Sequence, residues 1–306
     1  VSIEVRGLRK AFGAVQAVRG VDLDVPTGSL FAFVGRNGAG KSTTIGCLTT
    51  TIAPDAGELT IDGSRVGRDD GRIRERIGVV FQDSALDALL TVRENIALRA
   101  GFYGIRGAER DRRIDDIVAL VQLTEFADRR YGRLSGGQRR RADIARALVH
   151  GPAVLFLDEP TAGLDPQSRQ QLWAAIRTLR HEQDLTVFLT THYMEETEQA
   201  DRVCIIDAGS VVAEGDPAGL RRDHSSSVLS LAVRPGADVL PRVAAAGGSV
   251  LAGAAPGILR VAVPDAGVAR AILVALAGDA TDFEFRHGTM DDVFLAVTGN
   301  VAEAAA

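Results

Sequence analysis

Cysteine is nearly absent. Cys47 and Cys204 are the only two in 306 residues, far apart and outside any Cys-x-x-Cys spacing. A disulfide framework and a cysteine-bound metal are thereby excluded, and both read as buried or free thiols of a reducing compartment. Histidine is scarce too, and none of the five pairs with another His or Cys at ligand spacing. His150, His181, His224 and His287 read as ordinary structural residues. Long apolar runs are missing: residues 271–278 and the glycine-broken 243–255 come nearest, well short of the ~20 residues of a membrane-spanning helix. No internal repeat is visible. The N-terminus alternates apolar and polar residues like a strand rather than a secretory leader. A protein of this kind would serve a membrane only from the cytoplasm and through a partner.

Excess positive charge is lacking as well. Lys and Arg number 35 against 40 Asp and Glu, a balance of −5 that argues against nucleic acid as a partner. Hydrophobic content of 46% with 25% charged residues describes a globular chain with an ample core. Its length exceeds one ordinary domain, so a large domain followed by a small one is expected.

Strand-like segments open the chain, and Ser29–Gly35 is a continuous apolar run ending in glycine. Residues 84–150 turn helical and charged. Apolar strands then return at "AVLFLDEP", "LTVFLTTH" and "RVCIIDAG", alternating with the helix "SRQQLWAAIRTLR". Buried strands alternating with helices predict an α/β domain with a largely parallel sheet, with 84–150 as a helical subdomain. The polar stretch 221–227 suits a linker and puts the boundary at 222/223. Beyond it the pattern reads strand 228–234, helix 237–246, strands 249–254 and 257–263, helix 265–278 and strand 282–286. That order predicts a small α+β, ferredoxin-like domain over 223–306.

The chemistry begins with "GRNGAGKST", Gly35 to Thr43. It fits G-x-x-x-x-G-K-[ST] between an apolar strand and a helix, the context that makes the pattern a phosphate loop. Gly38 and Gly40 let backbone N–H groups curl toward phosphate oxygens, and the helix N-terminus adds partial positive charge. Lys41 supplies a point charge to the β- and γ-phosphates, and the Ser42 hydroxyl is suited to Mg2+. "AVLFLDEP" delivers Asp158 and Glu159 to the C-terminal end of a buried strand, the edge where open α/β sheets bind ligands. One carboxylate suits the Mg2+ shell and the other a water in line with the γ-phosphate.

A second loop, "LSGGQRRR", places Ser135, Gly136, Gly137 and Gln138 ahead of Arg139, Arg140 and Arg141. The loop reads as an anion-binding helix start, with Ser135 as a plain N-cap the bland alternative, and the arginines read as a solvated helix face. The three segments, in this order, resemble the nucleotide-binding subunit of ATP-binding-cassette (ABC) transporters over residues 1 to about 220.

That resemblance implies a P-loop cassette with a mixed sheet core, the cofactors ATP and Mg2+, and further site residues. Gly35, Asn37 and Thr43 join the nucleotide-binding loop. Phe12 stands where the family places an adenine-stacking aromatic, usually tyrosine; a core position is the alternative. Gln82 matches the glutamine that reaches Mg2+ beside Ser42 and Asp158. Asp165 belongs to the loop that links the two copies of a dimer. His192 matches the histidine that contacts the γ-phosphate, with Glu159 as the catalytic carboxylate beside Lys41. Two copies are implied to dimerise head to tail, so that Ser135 to Gln138 of one cover the ATP held by Lys41 of the other. Residues 93–104 are implied to lie near the groove for a membrane permease; a core helix is the alternative.

The segments "VFQDSALDALLTVRENI" and "TMDDVFLAVTG" are similar to ATPase subunits of the daunorubicin-resistance exporter type. The implied role is to power efflux of a drug, antibiotic or lipid-like substrate from the inner face of the cell membrane. An importer ATPase would share the cassette. A non-transport ABC ATPase fits less well with a single cassette and an acidic balance.

Overall fold

The computed structural model describes residues 1–251 and 257–299. The chain divides into two compact units, Val1–Val212 and Ala213–Ala306.

In the first unit the early strands are β1 (Ile3–Phe12), β2 (Val15–Val25), β3 (Leu30–Val34), β4 (Ala56–Ile61), β5 (Ser64–Arg65) and β6 (Ile77–Val80). β7 (Val154–Asp158), β8 (Thr186–Thr191) and β9 (Arg202–Asp207) follow the helical insert, and β10 (Ser210–Gly215) runs through the end of the unit at Val212. They form two sheets, the mixed core that the family resemblance implies, where the strand pattern alone predicted one largely parallel sheet. A four-stranded sheet has the order β2-β1-β4-β5, and its pairs are antiparallel. A six-stranded sheet has the order β10-β9-β3-β8-β7-β6, with parallel pairs from β9 through β6.

The difference follows from burial. β1 and β2 bury alternate residues such as Ile3, Val5, Val21 and Leu23, which suits a sheet with one face in the core. β3, β7 and β8 are buried along their whole length, as strands covered on both faces must be. Phe31, Phe33 and Phe156 pack around Phe188 with ring centroids 5.4–5.7 Å apart. This aromatic cluster fixes the central strands, and their C-terminal ends carry the site.

Helices Val92–Phe102, Gly107–Leu120 and Gly136–Leu148 build the insert between β6 and β7. Thr91 starts the first with a reciprocal capping box to Glu94. No helix among the described residues is long and apolar enough to cross a membrane.

The second unit holds β11 (Ser227–Val233), β12 (Ser249–Leu251), β13 (Ile258–Val263) and β14 (Ala280–Arg286) in the order β12-β13-β11-β14. Every pair is antiparallel. Helices Leu240–Ala245 and Ala266–Ala275 enclose a core of Leu229, Leu231, Val243, Val261, Ile272 and Leu276. Of the expected strand 249–254, residues 252–254 lie outside the described residues. The units divide at 212/213, earlier than the 222/223 boundary read from the polar stretch. Asp216 caps a helix, Pro217–His224, by accepting from Gly219 N at 2.8 Å. That helix packs against Met290–Val297 and so belongs to the second unit. The tail helix is opened by a Thr289–Asp292 capping box, with Arg286 paired to Asp292 at 2.8 Å.

Candidate active site

β3 ends at Val34, and the loop that follows is shaped by glycine. Gly40 has φ +108°, and a Cβ there would fall 2.5 Å from the Ala17 carbonyl oxygen. Gly35 is equally confined, against the Ile206 carbonyl. Helix Lys41–Leu48 starts directly at Gly40 with no side-chain cap, so its first N–H groups remain available to an anion. Asn37, Gly38, Gly40, Lys41, Ser42 and Thr43 line a cavity of about 450 Å3, together with Ala17, Gln82 and Glu159. Two sequence segments far from the loop, Gln82 and Glu159, thus meet it. Gly35 does not line the cavity.

Lys41 is buried, and its Nζ donates to the carbonyls of Gly35 (2.8 Å) and Arg36 (3.2 Å). The same Nζ lies 3.6 Å from Glu159 Oε1. On its other side Glu159 Oε1 is 3.3 Å from His192 Nδ1, a nitrogen that is buried and makes no hydrogen bond. The site thus gathers a cation, a carboxylate and an imidazole around one oxygen.

Glu159 has φ +45°, a left-handed conformation that costs a non-glycine residue about 1–3 kcal/mol. Its surroundings hold it there. Glu159 N donates to Thr190 O (3.1 Å) and lies 3.2 Å from Thr190 Oγ1. The Thr190 hydroxyl in turn donates to Asp158 Oδ1 at 2.5 Å. Thr190 therefore holds the Asp158 carboxylate and the main chain of Glu159 from the neighbouring strand. Thr161, just beyond, donates its hydroxyl to the buried carboxylate of Glu196, which ties the segment after Glu159 to the one after His192.

Ser135 is the N-cap of helix Gly136–Leu148, in a capping box with Gln138: Gln138 N donates to Ser135 Oγ (3.3 Å) and Ser135 N to Gln138 Oε1 (3.0 Å). None of Ser135, Gly136, Gly137 and Gln138 lines the phosphate cavity. Gly136 instead borders a separate cavity of about 510 Å3 with Gln82, Arg140, Glu159 and Pro160. Gly137 must be glycine, because a Cβ would meet Ser168 Oγ at 2.5 Å. The same Ser168 donates to Asp165, through N at 2.9 Å and Oγ at 2.6 Å. Those bonds hold the Asp165 carboxyl below the usual carboxylate range. Asp165 is thus an N-cap in this chain. Phe12 is 51% exposed, with the Lys10 ammonium 5.5 Å from its ring centre; a core position is ruled out, and it does not line the phosphate cavity.

The arginines need correcting. Arg139 is exposed, but Arg140 and Arg141 are buried and do not form a solvated face. Arg141 donates to the carbonyls of Val121 and Gln122, and Arg140 to those of Phe81, Asp158 and Pro160. Arg140, Thr190 and Glu196 escaped the sequence reading. A charge run carries no mark of which members turn inward, and Thr190 reads only as one more residue of a buried strand.

Comparison with known proteins agrees with this geometry. The family profile described as ABC transporter matches residues 18–162. The chain is similar to the daunorubicin/doxorubicin resistance ATP-binding protein DrrA of Streptomyces peucetius, 37% identical over 99% of this chain and 94% of that protein. It is also similar to the Nod factor export ATP-binding protein I of Rhizobium sp. (strain N33), 40% identical over 73% of this chain and 74% of that protein. Among solved structures, cbiO1 from Clostridium perfringens superposes with a TM-score of 0.65 at 28% identity, covering 70% of this chain and 88% of that one. The dimeric ATP-binding cassette MJ0796 bound to ADP and Pi gives a TM-score of 0.63 at 30% identity, covering 70% and 98%. Phosphate loop, strand-end carboxylates and relatives agree: the chain belongs to the ATP-binding subunits of ABC transporters, ATPases that pair with membrane permeases.

Proposed function

We propose that this chain powers an exporter, driving efflux of a drug, antibiotic or lipid-like substrate through a separate permease from the cytoplasmic face of the membrane. The observation that carries the chemistry is the convergence of Lys41 and His192 on Glu159 Oε1, at 3.6 and 3.3 Å. Water attacks the γ-phosphate in line. Glu159 polarises that water as general base, Lys41 holds charge on the transferring group, and His192 fixes the geometry. Ser42, Gln82 and Asp158 offer a hydroxyl, an amide oxygen and a carboxylate, the hard oxygen donors that Mg2+ prefers. Bound there, Mg2+ supplies further neutralisation of phosphate charge. Asn37, Gly38, Gly40 and Thr43 cradle the phosphates, and exposed Phe12 stacks on the adenine.

Ser135, Gly136, Gly137 and Gln138 act in trans, on the nucleotide held by a second copy, with Asp165 at the contact between copies. Their absence from the lining of their own chain's phosphate cavity supports this reading. The γ-phosphate is then the shared ligand of two anion-binding loops, and its loss lets the dimer reopen. Export is supported by a relative that matches over nearly the whole length of both chains and by the Nod factor export proteins. The second unit, with its antiparallel order β12-β13-β11-β14, is read as ferredoxin-like.

Two experiments test the proposal. Glu159→Gln is expected to keep ATP binding and lose nearly all turnover; near-normal turnover removes Glu159 from its role. Cells expressing the chain with its permease are expected to accumulate less of a fluorescent substrate such as daunorubicin. ATP-dependent uptake by the same complex, in place of extrusion, overturns the direction.

A further inference from the structure

Arg140 lies on helix Gly136–Leu148, five residues after Ser135, and is 7% exposed. Its hydrogen bonds all end on main-chain oxygens of two other segments. Nη2 donates to Asp158 O at 2.7 Å and Nε to Pro160 O at 2.9 Å, the carbonyls on either side of Glu159. Nη1 donates to Phe81 O at 2.5 Å, the carbonyl just before Gln82. One planar guanidinium therefore grips both flanks of the residue held at φ +45° and the entry to the loop that carries Gln82. Burying a guanidinium is expensive unless its donors are met and its charge has company. Here the donors reach four carbonyls, the longest being Gln82 O at 3.5 Å. Burial lowers the pKa of the group, and Asp143 and Asp158 oppose that by favouring its charge.

The helix that carries Arg140 is also the one that starts at Ser135. Its first turn is stiffened by the Ser135–Gln138 capping box, so Ser135 and Arg140 move as one body. A displacement of Glu159 or Gln82 when nucleotide enters must then either break the guanidinium bonds or shift that helix. We propose that Arg140 is a positioning residue that couples the chain's own Glu159–Gln82 site to the presentation of Ser135 to the partner copy, so that the two ATP sites of the dimer act cooperatively. This rests on the two-loop reading above, in which Ser135 covers the partner's nucleotide.

A purely architectural arginine would satisfy the same carbonyls without linking the sites, and the two roles separate experimentally. The full-length chain is compared with Arg140→Met and Arg140→Lys. Lysine keeps the charge but is a point donor that cannot span these carbonyls, so it loses the coupling while preserving more of the fold. Three quantities are read: ATP binding to the monomer, the Hill coefficient of ATP hydrolysis, and ATP-dependent dimerisation in a Glu159→Gln background. The parent is expected to hydrolyse with a Hill coefficient approaching about 2, the number of sites. Both variants are expected to fall toward about 1, with monomer affinity within about twofold and the dimerisation midpoint at least about tenfold higher in ATP.

A folded Arg140→Lys protein with parental cooperativity and an unshifted midpoint overturns the inference, even if its kcat falls. Should Glu159→Gln itself never dimerise with ATP bound, the two-loop reading fails first and the coupling falls with it. Dimerisation of the parent alongside parental cooperativity in the variants overturns only the role of Arg140.

Discussion

Lys41 Nζ stands 3.6 Å from Glu159 Oε1 in the wall of one cavity, while its other contacts are loop carbonyls of Gly35 and Arg36. The ammonium is thus poised between its own loop and the Glu159 carboxylate, where phosphate oxygens would draw it. Lys41→Ala is expected to weaken ATP binding at least about tenfold, a loss of about 1.4 kcal/mol or more. Equilibrium binding of a fluorescent ATP analogue measures it. Parental affinity in that variant contradicts the phosphate-cradle role.

The loop glycines should differ in their tolerance of a side chain. Gly40→Ala drives a Cβ to within 2.5 Å of the Ala17 carbonyl, at φ +108°. We expect a loss of about 2 kcal/mol in stability together with weaker ATP binding. Gly38→Ala meets only its φ of +83°, with nothing within 4 Å, and should lose about 1 kcal/mol. Urea unfolding of the two variants gives the comparison; equal losses contradict the steric account.

His150 makes stability depend on pH. Its ring stacks on Tyr103 with centroids 4.0 Å apart, and Nε2 lies 3.0 Å from the Ile77 carbonyl. Burial lowers its pKa from 6.5 to about 4. The unfolded chain therefore takes up the proton first as pH falls. The stabilisation is complete above pH 6.5 and is lost on descending toward pH 4. Because the ring is only partly buried, we expect a loss of about 2 kcal/mol, less than the full linkage value. His150→Phe retains the stack and cannot protonate. Its stability should fall less steeply across this window, and an unchanged slope assigns the pH dependence elsewhere.

Both thiols are shut away. Cys47 and Cys204 are buried thiols outside any disulfide, and burial raises the Cys47 pKa to about 11. A thiolate-selective reagent at neutral pH is expected to leave both unmodified in the native chain and to modify both in denaturant. Rapid reaction of the native protein contradicts this packing.

The parts of the site legible in sequence are those where local pattern and fold demand coincide. Gly40, Lys41 and Ser42 are readable because a strand-to-helix phosphate loop needs those residues in that order. Asp158 and Glu159 are readable because β7 is a solid apolar run, as a doubly covered strand must be. The separate sheet β2-β1-β4-β5 was not legible, since alternation reports that a strand has one buried face and not which sheet supplies it. Arg140 was missed because its partners are main-chain carbonyls, which leave no trace in side-chain pattern. Asp216 and Pro217 did carry a helix-start signal. The polar residues after them obscured it and moved the boundary to 222/223.

The most direct test of the central claim, that Ser135 and Lys41 of different copies share one ATP, is the solution mass of Glu159→Gln protein by light scattering with and without Mg-ATP. A shift from monomer to dimer only when ATP is present is the predicted result. A mass that stays monomeric while ATP is demonstrably bound contradicts it.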